Sequence, residues 1–510
     1  MPFRHVAGGS GGKHLPETMG AGLAWIDYDG DGWLDLYLVQ SGPYPPAGSA
    51  EAANRLFRNR GGEGFEEVPA SGTEHTGYGQ GVLALDLDGD GATDLIVTNV
   101  GATALLRNRG DGTFEDASGR LGEPASPRAW GSSVAAADAE GDGDLDLYVA
   151  QYLDYDPEAE LFCGDRATGE RDYCDPAMFE GLRDHFFRNR GDGSFEEVGR
   201  QVGLGGADGK GLGVIFGDLD GSGRPDLYVA NDLTLNLLFR NRGDGVFEDL
   251  SLLSGAAVNA HGRPEAGMGV IMADLDGDGD PDLAVSNFDV ETNTLYRNLG
   301  GLSFEDASSV SGFGLPSFNL LGFGLIAADF DLDGALDVFV ANGHIFERPR
   351  RENVSYRQRD LLLRGDGRGR FAEVRCAALE SAPRVGRGAA AADFDLDGDV
   401  DLAVANNDDG PTLLINRIAE MAHPGWLGVE LVGGAPNTEA IGAVVTLRQG
   451  DRAQRRWVLA GDSYLSSGDR RVVFGLADRD APLVLDVDWP SGKHQRVVAP
   501  SSGRYLRLVE

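Results

Sequence analysis

Asp27-Tyr28-Asp29-Gly30-Asp31-Gly32-Trp33-Leu34-Asp35 decides the reading of the whole chain. It places carboxylates at positions 1, 3, 5 and 9 and glycine at 6, ahead of the strand-like run Leu36-Tyr37-Leu38-Val39. Hard cations such as calcium take about six to eight oxygens at roughly 2.3–2.6 Å, and a tight loop with acidic side chains at alternate positions can wrap them round one ion. The glycine permits the bend. Position 7 offers its backbone carbonyl, so its residue type is free.

The pattern occurs seven times, beginning at Asp27, Asp86, Asp138, Asp218, Asp274, Asp329 and Asp393, in steps of 59, 52, 80, 56, 55 and 64 residues. One such match would mean little in a chain this acidic; seven at a near-constant step mean a repeat array, and a period of about 50–60 points to a propeller or solenoid. Seven residues before each first Asp stands Gly (Gly20, Gly79, Gly131, Gly211, Gly267, Gly322, Gly386). A short apolar run such as Val214-Ile215-Phe216 leads into the loop and another, such as Leu227-Tyr228-Val229, leaves it. A third, such as Leu105-Leu106-Arg107-Asn108, then reaches a turn of the type Asn-Arg-Gly-Asp-Gly before a fourth, Thr113-Phe114-Glu115-Asp116. Apolar runs of four or five residues bounded by Gly, Asn and Asp are strands. Four strands repeated seven times close into a ring that protects nearly all sheet edges. The expected fold is therefore all-β: a seven-bladed β-propeller over residues 1–418, then a small β-sandwich domain over 419–510. The sandwich is read from alternating segments such as Ala443-Val444-Val445-Thr446-Leu447, after a hinge at Met421-Ala422-His423-Pro424-Gly425. The seventh repeat lacks a fourth strand of its own, so either residues near Phe3 supply one or the closing strand and a leader peptide lie upstream of Met1; the second is favoured.

A formal net charge of −38 argues against nucleic acid or an anionic membrane as partner, because phosphate binding needs clustered Lys and Arg. Seven divalent ions would bring that charge to about −24. No apolar run approaches a membrane span. Of three cysteines, Cys163 and Cys174 share the insertion that stretches the third step. They form a disulfide in an oxidising compartment, with two free thiols as the alternative. Cys376 reads as a small buried filler.

The metal candidates are Asp27, Asp29, Asp31 and Asp35; Asp86, Asp88, Asp90 and Asp94; Asp138, Glu140, Asp142 and Asp146; Asp218, Asp220, Ser222 and Asp226; Asp274, Asp276, Asp278 and Asp282; Asp329, Asp331, Asp333 and Asp337; Asp393, Asp395, Asp397 and Asp401. Up to seven Ca2+ sites follow, the fourth weakest for want of one charge. Arg-Gly-Asp at Arg109, Arg190, Arg242 and Arg364 is assigned to the hairpin turn rather than to adhesion. Five residues past each ninth position stands an amide (Gln40, Asn99, Gln151, Asn231, Asn287, Asn342, Asn406), whose expected task is to hold the following turn. The same rim gathers Glu17, Trp130, Lys210, Glu265, Asn342, His344 and Arg387 as candidate ligand contacts. Gly461-Asp462-Ser463-Tyr464-Leu465 resembles a hydrolase motif only by coincidence, since no helix or His partner accompanies it.

The loops resemble the FG-GAP (VCBS-type) repeats of integrin α-subunit propellers. The whole chain resembles the cartilage acidic protein family and its bacterial relatives with a C-terminal ASPIC/UnbV domain. That likeness is carried by Leu15-Pro16-Glu17-Thr18-Met19-Gly20, Tyr173-Cys174-Asp175-Pro176, Ala341-Asn342-Gly343-His344, Ala440-Ile441-Gly442-Ala443, Phe474-Gly475-Leu476 and Trp489-Pro490-Ser491-Gly492. It implies an extracellular or periplasmic location. The expected function is a calcium-binding module or scaffold for a protein or glycan ligand, monomeric, rather than an enzyme. The alternative is an enzyme or biosynthetic accessory protein using Glu17, Glu265 and His344 on the rim opposite the loops. An enzyme calls for a deep pocket with convergent polar groups there, a binding module for a shallow face.

Overall fold

The computed structural model describes residues 1–9, 11–45, 52–123, 126, 128–159, 161–205, 209–349, 351–422, 424–479 and 481–510. His423 of the expected hinge lies outside them. Each repeat forms one antiparallel sheet with its strands in chain order. In the second, Tyr78–Leu85, Asp94–Val100, Ala104–Asn108 and Phe114–Asp116 pair successively, with Leu95 opposite Leu106. The first two strands are buried almost throughout, as in Asp226–Asn231, so they read as continuous apolar runs rather than alternating ones. Among the described residues the sheets of repeats one to six have four strands and the seventh has three. Beside that seventh sheet run residues 3–7, where the His5 N–H donates to the Asp409 carbonyl and the Ala7 N–H to Asp408.

The first strand of each sheet packs against the first strand of the next, and Gly386–Ala392 of the seventh packs against Leu23–Ile26 of the first. The sheets thus form a closed ring. Asparagines tie neighbours together at the loop end. Asn59, Asn108, Asn189, Asn241, Asn298 and Asn416, on the third strands or at their ends, each donate through Nδ2 to the carbonyl of loop position 2 in the preceding sheet. The Asn59 bond to the Phe394 carbonyl joins the first sheet to the seventh.

Residues 425–509 fold into a three-stranded sheet (Val472–Leu476, Gly425–Val432, Tyr505–Val509) and a four-stranded one (Arg452–Trp457, Val444–Gln449, Leu483–Asp488, His494–Val498). Leu427, Val445, Phe474, Leu485 and Trp489 share one core with Leu83, Leu85, Val134 and Leu147 of the second and third sheets. The connection from Val458 to Arg471 enters the middle of the ring. Inner strands of a ring expose one row of N–H and C=O groups to the central channel, and buried backbone groups must be paired. This segment pairs them. Ala460 accepts from Ala136, Ser463 exchanges two bonds with Val270, Leu465 accepts from Val82, and Ser467 exchanges two with the Leu23–Trp25 edge. The Ser463 hydroxyl donates to the Ala389 carbonyl and accepts from the Leu325 N–H. Tyr464 is fully buried, its hydroxyl donating to the Met19 carbonyl. The stretch that resembled a hydrolase motif is therefore the plug of the ring.

Cys163 and Cys174 form a disulfide in the third-repeat insertion. Cys376, expected to be buried, is an exposed free thiol. It follows the edge strand Phe371–Val374, where the chain leaves the sheet for the helical turn Ala377–Glu380, so no second layer covers it.

Candidate metal loops and the opposite rim

The seven loops share one geometry. The position-6 glycines have φ between +78° and +99°, a conformation that other residues adopt only at a cost. That bend turns the glycine N–H onto the first carboxylate, and in six copies the bond is 2.9 Å. In six copies position 5 accepts from the N–H of position 7, for example Asp90 from Ala92 at 3.0 Å. Position 9 anchors the loop to the sheet, with Asp35 accepting from Asn59 at 2.7 Å and its six equivalents doing the same on their own third strands.

Position 3 is different. Asp29, Glu140, Asp88, Asp331 and Asp395 each keep one buried carboxylate oxygen with no hydrogen-bond partner, as do Asp86 at position 1 and Asp401 at position 9. Carboxylate oxygens of Asp27, Asp29 and Asp35 lie within 4.8 Å of one another. So do those of Asp86, Asp88 and Asp94, of Asp218, Asp220 and Asp226, of Asp274, Asp276 and Asp278, and of Asp329, Asp331 and Asp333. Burial, then mutual repulsion, pushes Asp35, Asp94 and Asp282 up to about 8. An orphaned buried acceptor and crowded carboxylates are what a divalent cation relieves, so the residues present fit such an ion.

An arginine from the third strand lies against the outer oxygens. Arg58 meets Asp29 and Asp31 at 2.9 and 2.8 Å; Arg107, Arg188, Arg240 and Arg364 repeat the contact on their own loops. In the fifth sheet Arg297 pairs with Glu305 instead, and in the seventh the position is Ile415. These arginines were missed in the sequence, though the recurring Arg-Asn pair after the third apolar run was a readable sign. Arg109 and Arg190 sit in hairpin turns, ion-paired to Glu115 and Glu196. Arg364-Gly365-Asp366 is out of that register: Arg364 and Gly365 end a strand, and the arginine belongs to the loop set.

The C-terminal sheets cover this loop face. The Thr438 hydroxyl donates to Asp86, the Gly475 N–H to Asp329 at 3.1 Å, and the Tyr505 hydroxyl to Asp393 at 2.7 Å, each at loop position 1. Trp426 lies so close over Gly398 that a Cβ there would fall 1.9 Å from its ring.

At the opposite end the amides hold their turns, as when Asn231 donates to the Leu235 carbonyl and Asn406 to that of Gly410. The expected ligand contacts do not form one set there. Arg387 is fully buried, donating to the carbonyls of Thr18, Gly343 and Gly386 with its guanidinium 4.0 Å over Phe323. Trp130 is buried against Tyr152. Glu265 accepts from Asn259, Asn287 and Thr294. Asn342 holds the Val340 and Arg359 carbonyls, and Glu17 accepts from the Tyr173 hydroxyl. The Lys210 ammonium donates to the Pro176 carbonyl. These polar groups organise the rim from within, because long-range packing, invisible in the spacing, buries them. His344 alone of the set lines the cavity at this end, and its ring is engaged: Nδ1 accepts from the Phe346 N–H, and Nε2 lies 3.4 Å from Asp289. Glu17, Glu265 and His344 therefore do not converge as an acid–base set.

The profile of the FG-GAP-like repeat family matches residues 27–97, 86–149, 153–229, 218–285 and 274–340, and that of the ASPIC and UnbV family matches 433–510. Cartilage acidic protein 1 of Homo sapiens is 29% identical over 504 residues, spanning 94% of this chain and 70% of its own length. That of Xenopus tropicalis is 27% identical over 511 residues, spanning 94% and 71%. Among solved structures, an Agrocybe aegerita lectin that recognises non-reducing terminal N-acetylglucosamine is similar with TM-score 0.43 and 19% identity, covering 77% of this chain and 87% of its own. YCF48 bound to D1 peptide gives 0.42 and 10%, covering 78% and 94%.

Proposed function

Because the chain belongs to the FG-GAP-like repeat family, with an ASPIC and UnbV domain at residues 433–510, we propose that it is an exported, calcium-stabilised binding or scaffold module. The closed ring is read as a seven-bladed β-propeller, its loop face capped by the C-terminal sheets as a β-sandwich. The observation that carries the calcium reading is the buried, unpartnered oxygen at loop position 3 in five of the seven copies. Positions 1, 3, 5 and 9 would hold the ion, which supplies positive charge where four carboxylates otherwise repel.

At a Kd of about 0.1 mM and free calcium of about 1 mM, each site stabilises the fold by roughly 1.4 kcal/mol, and seven by about 10. Sub-micromolar calcium would leave such sites mostly empty, which together with the disulfide supports export to an oxidising, calcium-rich compartment. The end opposite the loops is the face left for a protein or glycan partner. The test is metal analysis with thermal unfolding of the purified chain. About six or seven calcium ions per molecule and a melting temperature lower by many degrees in chelator are expected. At most one ion, or no shift, overturns the calcium reading.

A further inference from the structure

The end of the ring opposite the loops encloses a cavity of about 310 Å³, at the lower end of small-ligand sites. Its base is apolar, formed by Met268, Leu321 and Phe323, all buried. Tyr173 and Phe346, whose ring centroids are 6.5 Å apart, line it with aromatic faces. Four carboxylates line it: Asp175, Asp289, and the pair Asp232 and Glu291, which enter from either side of Ala266. Asp232 bridges Ala266 through its backbone, and Glu291 accepts the Ala266 N–H at 2.9 Å. Asp232 also accepts the Tyr152 hydroxyl.

The neighbouring cations, of which Arg351 itself lines the cavity, already have partners. Arg351 is 3.3 Å from Asp289, Lys13 is 3.0 Å from Glu347, and Lys210, whose charge bears on Asp232, donates to the Pro176 carbonyl. Burial raises Asp232 to about 6 and Glu291 to about 7, the latter helped by the charges of Glu265 and Asp232. Paired negative charge beside an apolar base and aromatic faces is complementary to one class of ligand.

We propose that this cavity binds an organic cation with an apolar body, an alkyl- or arylalkyl-ammonium. Its head sits between Asp232 and Glu291, and its hydrocarbon lies on Met268, Leu321 and Phe323. The assignment rests on the binding-module reading and names the ligand class. The probe is phenethylammonium, titrated by calorimetry into the full calcium-loaded chain at pH 8, with neutral 2-phenylethanol as the comparison. The cation is expected to bind at least tenfold tighter than the alcohol. Asp232→Asn and Glu291→Gln, which keep the acceptors for Tyr152 and Ala266, should each weaken it tenfold or more with the calcium-dependent melting unchanged. Equal affinity for cation and alcohol, no binding at millimolar concentration, or undiminished binding by the double variant overturns the proposal. Melting of the same samples in chelator separates the readings, because an intact calcium shift without cation binding removes this site and leaves the metal loops standing.

Discussion

The two ends of the ring are built on opposite principles. At the loop end the same nine positions recur seven times, held mainly from within the loop or from its own sheet, with the C-terminal sheets adding a donor at Asp86, Asp329 and Asp393. At the other end only the turn-holding amide recurs. Two residues past the amide stand Gly42, Gly101, Leu153, Leu233, Asp289, His344 and Asp408, and of these Asp289 and His344 face each other at 3.4 Å. Repetition holds the ring together, and divergence shapes the cavity.

That contrast breaks most violently at the plug, which touches both ends. Replacing Ala460–Ser467 with a short glycine–serine link should remove the bonds to Ala136, Val270, Val82 and Trp25. It also uncovers the Tyr464 and Leu465 sites, both buried to within 1%. Unpaired buried backbone groups cost about 1–3 kcal/mol each, and Tyr464→Ala alone should cost about 3–5. The deletion should therefore give no cooperative unfolding transition, and Tyr464→Ala a melting temperature many degrees lower. A deletion that melts like the parent chain would mean that the plug merely fills space.

How much was legible follows the same division. Loop ligation is local, so Asp27 to Asp35 announce it within nine residues. Strand order followed from the repeat, even where the second-to-third strand connection lengthens to residues 152–184 or 343–360. The plug was not legible, because Ser463 reaches Val270 across 193 residues and nothing near Ser463 hints at the edge it completes. Arg387 was read as a ligand contact of the rim for the same reason: its partners, the Thr18 and Gly343 carbonyls, lie far away in sequence.

A second break concerns pH and belongs to the irregular end. Asp360 is half-buried beside Arg359, accepting the Asn342 N–H at 3.0 Å, and desolvation pushes its carboxyl up to about 7. The folded chain then holds a proton that the unfolded chain, titrating near 4, has released. The stability gained from the neutral carboxyl is whole below about 4 and is lost as pH rises through 7. With calcium saturating, Asp360→Asn should be less stable than or equal to the parent at pH 5 and more stable at pH 8, by urea unfolding. A parallel pair of curves would show that Asp360 is charged throughout.

The smallest expected effects compare two seams at the regular end. Between the third and fourth sheets, Asn241 donates to the Ala139 carbonyl at 2.8 Å and to that of Pro225, and accepts the Gly243 N–H. Between the fifth and sixth, the equivalent residue is Gly365, where a Cβ would fall 2.0 Å from the Leu336 carbonyl oxygen, so no asparagine fits. That seam is held from above. Arg456 is half-buried within the fields of Asp274 and Asp329, and Arg455 donates to the Gly279 carbonyl at 2.7 Å. Asn241→Ala should therefore cost about 2–3 kcal/mol, since three partners are left unpaired in a dry interface. Arg455→Ala should cost about 1 kcal/mol, since it removes one bond at a partly exposed site. If Arg455→Ala proved the more damaging, the C-terminal sheets would be clamping the whole ring rather than replacing one missing asparagine.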